Sequence, residues 1–155
     1  MRILVLSDSH GSRMNVERAI NSQPNAEVVI HLGDGRRDYD EQQILQRGKL
    51  FVAVKGNNDF GSPLSYDETR TFDSKKFFMT HGHRYNVKYT VDNLINVAEE
   101  NDIDVVLYGH THIPKIEFFN GKYYVCPGSI GGWEPTYATI DITKAGIVCN
   151  IVKLR

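Results

Sequence analysis

The stretch VVLYGHTHIPK, residues 105–115, decides how this chain is read. An apolar run, Val105 to Tyr108, stops abruptly at Gly109 and is followed by His110, Thr111 and His112. A run this short and this apolar reads as a strand buried on both faces. The chain has six histidines, and two of them stand just past the carboxyl end of that strand.

The same pattern recurs on either side. RILVLSD (2–8) reads as a buried strand that leads into Asp8-Ser9-His10. AEVVIHLGD (26–34) leads into Gly33-Asp34-Gly35, and KLFVAVKGNND (49–59) into Gly56-Asn57-Asn58-Asp59. KKFFMTHG (75–82) leads into His81-Gly82-His83. Helical segments separate the first three strands. Ser12–Gln23 carries Val16, Ala19 and Ile20 at helical spacing, with Ser12 as N-cap. RDYDEQQILQRG (37–48) reads as a helix that Gly48 ends. This β-α-β-α-β order predicts a parallel sheet with right-handed crossovers.

Beyond residue 60 the pattern changes. SPLSYDE (62–68) reads as a loop, and TRTFD (69–73) pairs with KKFFMTHG through a turn at Ser74. TVDNLINVAEEND (90–102) places Val91, Leu94, Ile95 and Ala98 on one helical face. The last third reads as hairpins. KIEFF-NG-KYYVC (115–126) carries the Asn-Gly signal of a type I′ turn, and YATIDIT-KAG-IVCNIVKL (137–154) alternates on both arms. No repeat or linker interrupts the chain, so residues 1–155 are expected to form one domain. The predicted fold class is α/β: a four-layer α/β/β/α sandwich of two mixed sheets flanked by helices.

The totals exclude several classes. Hydrophobic residues make up 41% and charged residues 24% of the 155 positions, ordinary values for a chain with a core. A net charge of -1 gives no sign of a nucleic-acid stripe or an anionic-membrane surface. Cys126 and Cys149 lack zinc spacing and read as reduced, buried thiols. The N-terminal run ILVL is too short for a signal or a membrane span, which predicts a cytoplasmic protein.

The post-strand loops hold carboxylates, imidazoles and an amide oxygen, with no thiolate. Such donors suit Mn, Fe, Ni, Co or Zn better than Ca or Cu(I). Their number suits two ions sharing a carboxylate, and ions roughly 3.5–4 Å apart can clamp both oxygens of a phosphoryl transfer. A lone Asp-x-His is usually structural, and several metal folds use His-x-His. Five such loops in order, each straight after a strand, are not readily produced by chance. His31 lies inside a strand and reads as a packed, hydrogen-bonded residue. Trp133, after Gly131-Gly132, fits either an oligomer contact or a place near the site.

The blocks DSH…GD…GNND…HGH…GHTH resemble the calcineurin-like metallophosphoesterases, and most closely the small single-domain YfcE-type phosphodiesterases. The resemblance runs from ILVLSDSHG to PGSIG. It implies that Asp8, His10 and His112 hold one divalent ion, that Asn57, His81 and His110 hold another, and that Asp34 bridges them. Manganese is the foremost candidate, with Ni, Fe, Co and Zn as alternatives. It further implies in-line attack of a hydroxide on the phosphorus of a small-molecule phosphate ester. One position departs from the family: Asn58 stands where many members have a histidine. That makes Asn58 a candidate donor to a phosphate oxygen, His83 a candidate general acid and Asp59 a residue for turns or ligand support.

Two rivals are considered. One is a protein-binding scaffold, like the retromer subunit of the same fold, which can dispense with ligands that this chain keeps. The other is a metallo-β-lactamase-type hydrolase, which would need His-x-His-x-Asp-His after an early strand, and that pattern is absent. FGSPLSYDE (60–68) and RYNVKYT (84–90) are expected to set specificity. Apolar hairpin edges would allow a homo-oligomer.

Overall fold

The first strand, β1 (Arg2–Leu6), shows how the layers arise. Successive side chains of a strand face opposite ways. Ile3 and Val5 therefore enter one apolar cluster and Leu4 and Leu6 another, and all four are fully buried. An element apolar on both faces needs a partner on each. The computed structural model, which describes residues 1–155, supplies a second sheet on one side and helices on the other.

The first sheet has the order β10-β9-β1-β2-β3. It comprises β1, β2 (Val28–His31), β3 (Leu50–Ala53), β9 (Thr136–Thr143) and β10 (Gly146–Lys153). β1, β2 and β3 run parallel, with Leu4 opposite Val29 and Ile30 opposite Val52. β9 lies antiparallel to β1, with Leu4 opposite Thr139. The second sheet has the order β4-β5-β6-β8-β7. Its strands are β4 (Asp67–Phe72), β5 (Lys75–Thr80), β6 (Val105–Leu107), β7 (Lys115–Phe119) and β8 (Lys122–Cys126). β5, β6 and β8 are parallel, and β4 and β7 close the sheet with antiparallel edges.

Ile3, Val5, Ile30, Phe77, Met79, Val105, Leu107 and Val125 meet between the sheets. Outside the first sheet, α1 (Arg13–Ser22) and α2 (Glu41–Gln46) cover Leu4, Leu6 and Val29 with Val16, Ala19, Ile20 and Ile44. Outside the second, α3 (Asp92–Glu100) sets Leu94 and Ala98 against Phe78, Val106 and Tyr108. The result is the expected α/β/β/α sandwich of two mixed five-stranded sheets. The hairpin turns use left-handed residues, Asp73-Ser74 between β4 and β5 and Asn120-Gly121 between β7 and β8, as type I′ turns require.

Two local readings need correction. Ser12 stands at the N-cap position of α1, but its side chain makes no capping bond. The helix read over 37–48 is shorter. Asp40 caps α2 by accepting from the Gln43 N–H at 3.1 Å, which leaves Arg37, Asp38 and Tyr39 outside. Asp38 is drawn away because its Oδ2 accepts from Ser9 Oγ at 2.6 Å and from the Gly11 N–H at 2.9 Å.

Candidate metal centre

Five strands end at one rim. β1 delivers Asp8 and His10, β2 delivers Asp34, β3 delivers Asn57 and Asn58, β5 delivers His81, and β6 delivers His110 and His112. The carboxyl ends of parallel strands form the crevice of such sheets. Here the crevice straddles the seam between the two.

Asp8 lies at its centre and is fully buried. Its Oδ2 accepts from Ser7 Oγ at 2.6 Å and from the His110 backbone N–H at 3.0 Å. Its Oδ1 has no hydrogen-bond partner. Three imidazole nitrogens surround that oxygen: His112 Nε2 at 3.1 Å, His10 Nε2 at 3.7 Å and His81 Nε2 at 3.9 Å. A buried carboxylate oxygen left without a donor is costly, and it fits a place meant for a cation. Asp34 Oδ2 lies 3.4 Å from His81 Nε2 and 3.8 Å from His10 Nε2. His10 Nε2 and His112 Nε2 are 3.2 Å apart. Two groups of possible ligands follow, Asp8-His10-His112 and Asp8-Asp34-His81, and Asp8 belongs to both.

The remaining candidates are placed as follows. Asn57 Oδ1 is 3.1 Å from His81 Nε2. The His110 ring stands 5.1 Å from that of His81 and 6.1 Å from that of His83. His110 is outside both compact groups, so the GHTH turn sends its two imidazoles to different ends of the cluster. The side-chain amide of Asn58 donates to Asp34 Oδ2 at 2.6 Å, and its backbone N–H donates to Asp34 Oδ1 at 2.8 Å. His83 lies behind, its ring 5.4 Å from that of His81, and its Nδ1 is buried without a partner.

Supporting contacts fix these groups. His81 Nδ1–H donates to the Leu32 carbonyl at 2.8 Å, which turns Nε2 toward the carboxylates. Asp59 accepts from the backbone N–H groups of Asp34, Gly35, Arg36 and Gly56, at 2.7, 3.0, 3.0 and 2.8 Å. It thereby ties the β2 and β3 loops together, the supporting role read for it. Ser129 Oγ and the Gly131 N–H donate to the Asp8 carbonyl at 2.7 and 3.2 Å. A Cβ on Gly56 would fall 2.0 Å from Asp34 Oδ1, so only glycine fits there.

The backbone is strained at the candidate ligands themselves. Asp8, His10, Asp34, His110 and His112 have φ of 55°, 42°, 58°, 68° and 61°. Left-handed backbone costs a non-glycine residue on the order of 1–3 kcal/mol and collects where function over-determines the chain.

Electrostatics follow from burial and neighbours. Burial favours a neutral Asp34, but bonds from His81 and Asn58 outweigh it and hold the carboxyl well below its ordinary range. Burial pushes His81 down, while Asp34 and Asp8 more than compensate and raise it. His110 is pushed down to about 4 by burial and by the neighbouring His81. Burial also drives His31 down to about 4. His31 is the packed residue expected: Nδ1 accepts from the Gly33 N–H at 3.2 Å, and Nε2 lies 3.1 Å from Ser9 Oγ. The chain His31–Ser9–Asp38 was not legible from the sequence. Its only local signal was that Ser9 stands in the polar run Ser7-Asp8-Ser9-His10 that ends the first strand. Trp133 is fully exposed.

Comparisons with known proteins agree with this geometry. Residues 1–145 match the calcineurin-like phosphoesterase superfamily domain. The probable metallophosphoesterase YsnB of Bacillus subtilis is 34% identical over 131 residues, covering 84% of this chain and 75% of that protein. The phosphodiesterase MJ0936 of Methanocaldococcus jannaschii is 29% identical over 93% of this chain and 95% of its own. A predicted phosphoesterase from Streptococcus pneumoniae superposes with a TM-score of 0.83 at 28% identity, covering 98% of this chain and 88% of that one. Vps29 of Entamoeba histolytica, 21% identical over the full length of both chains, shares the fold with a TM-score of 0.75. With residues 1–145 matching its domain, the chain belongs to the calcineurin-like phosphoesterase superfamily.

Proposed function

We propose that this protein is a metal-dependent phosphodiesterase that hydrolyses a small-molecule phosphate ester, with residues 1–155 acting as one domain. The observation that carries the reading is the donor-free Asp8 Oδ1, fully buried and ringed by His10, His81 and His112. Asp8, His10 and His112 would hold one divalent cation, Asn57, His81 and His110 a second, with Asp34 between them. Manganese is the first candidate. Bound there, such ions would supply Lewis acidity toward phosphate oxygens and lower the pKa of water.

The chain's own residues do the rest. The His81-to-Leu32 bond fixes the tautomer that presents a lone pair at Nε2. Asn58 orients Asp34 through two bonds, and the second N–H of its amide is left for a phosphate oxygen. His83 is the candidate general acid; burial and the nearby His81 lower its pKa, so its proton-donating form gains as pH falls. No helix is long and apolar enough to cross a membrane. Both cysteines are free, in keeping with a cytoplasmic location.

Elemental analysis of the purified protein, coupled to a screen of Mn, Fe, Co, Ni and Zn against phosphomonoesters and phosphodiesters, tests the reading. Metal uptake with diester turnover is expected. A protein that takes up no divalent ion and turns over no ester would instead be a binding scaffold, the role the fold also permits.

A further inference from the structure

A recess of about 370 Å³ opens beside the candidate centre. His10, Asp34 and Asn58 line it, and so do Arg36, Arg37 and Phe60. Arg36 and Arg37 are exposed, and neither guanidinium has a hydrogen-bond or carboxylate partner. Elsewhere arginines are engaged: Arg2 with Asp141, Arg13 with Glu17, Arg47 with Asn21, Arg70 with Glu68 and Arg84 with Asp67. The recess also holds carboxylates, but they are turned to other work. Asp59 accepts four backbone N–H groups. Asp38 serves Ser9 and Gly11, and Asp34 serves Asn58. The Arg36 guanidinium rests over the Tyr39 ring, 5.6 Å from its centroid, and the guanidiniums remain the charges of the recess that no acid neutralises. Arg36 is anchored by its N–H to Asp59 Oδ1 at 3.0 Å, and Asp59 also holds the Asp34 amide at 2.7 Å. The Arg36 backbone is thus tied to the loop that carries Asp34. Phe60, 89% exposed, presents an unpartnered ring at the same opening.

We propose that Arg36, Arg37 and Phe60 form a subsite for the non-reacting arm of the substrate, and that this arm is nucleotide-like: a second phosphate on the arginines and a planar base on Phe60. The proposal rests on the phosphoesterase reading for the phosphate that reacts. Guanidinium forks match phosphate oxygens two at a time, and aromatic rings stack on any base. The recess has room for about one nucleotide-sized group, and a net charge of -1 provides no wider track for a polynucleotide.

The test is calorimetry on manganese-loaded protein with adenosine 5′-monophosphate and adenosine 3′,5′-bisphosphate, both recovered intact after the titration. The bisphosphate is expected to bind tighter by on the order of tenfold or more. The Arg36→Gln/Arg37→Gln double variant should lose that preference. Lys144→Gln/Lys153→Gln, which removes the same charge on the β9–β10 arm, should keep it. Phe60→Leu should weaken both nucleotides while leaving binding of inorganic phosphate as it was. Equal affinities in the wild type, no binding of either nucleotide, or equal losses in the two double variants would overturn the subsite. The two readings fail separately. A preserved preference with no diester hydrolysis under any of the five cations would sink the phosphoesterase reading alone. Turnover of bis(p-nitrophenyl) phosphate without the preference would sink the subsite alone.

Discussion

Asp34 gathers His10, His81 and both donors of Asn58 around one carboxylate. Replacing it with Asn removes a formal charge at nearly constant shape. Asp34→Asn should lose at least one metal per chain and nearly all activity, measured by elemental analysis and a diester assay. Two metals with normal turnover would rule out the bridging role. A second pair of variants separates the ends of the cluster. His112 lies against Asp8 and His10, whereas His110 lies beside His81 and His83. In crystals soaked with Mn, His110→Ala and His112→Ala should each keep one ion, at different positions. The same residual peak in both would mean that the two histidines serve a single ion. Much of this was legible because Asp and His after an apolar run, with glycine alongside, signal a turn and a donor together. Orientation was not legible. Nothing local in GNND says that the Asn58 amide is spent on Asp34, or that Asp59 gathers amides from a loop some 25 positions away in sequence.

At the scale of elements, loops rather than strands set the precision. Gly56 begins the turn after β3, and a methyl there would collide with Asp34 Oδ1 at 2.0 Å and with the Asp34 nitrogen at 2.6 Å. Both are held by other bonds, so the β2 loop must move. Gly56→Ala should therefore weaken metal binding by roughly tenfold or more, a loss of at least about 1.4 kcal/mol, while its far-UV circular dichroism stays native. Unchanged affinity by calorimetry would show that the loop yields freely. The strands themselves were readable because β1, β2 and β6 are short apolar runs with marked ends. Their lateral order was not, since pairing β9 with β1 and β8 with β6 depends on contacts far apart in the chain. α2 was overread because Asp38, inside the expected helix, has better bonds to Ser9 and Gly11.

For the molecule as a whole, metal and proton compete. His81 is raised from its ordinary value because Asp34 and Asp8 overcome the effect of burial. In the metal-free protein that proton stabilises the fold below about pH 6.5, and the contribution is lost as pH rises through the raised value. A cation needs the same nitrogen unprotonated. The gain in Tm on adding Mn should therefore grow from pH 6 to pH 8, read by differential scanning calorimetry at fixed free metal. A gain that shrank over that range would show that His81 is not a ligand.

The candidate ligands span residues 8 to 112, and Asp8 is braced from behind by Ser129 and Gly131. This has a consequence for the order of events during synthesis. The amino-terminal half can pair β1, β2 and β3 as it leaves the ribosome, yet it then displays two carboxylates facing no imidazole but His10. Only when His110 and His112 emerge does the donor set exist, and only some twenty residues later does Asp8 acquire its backing. A nascent chain arrested before residue 75, which lacks His81, His110 and His112 together, should thus retain no manganese, and one arrested after residue 140 and clear of the exit tunnel should. Cation capture would then follow the folding of the whole two-sheet domain rather than guide its early steps.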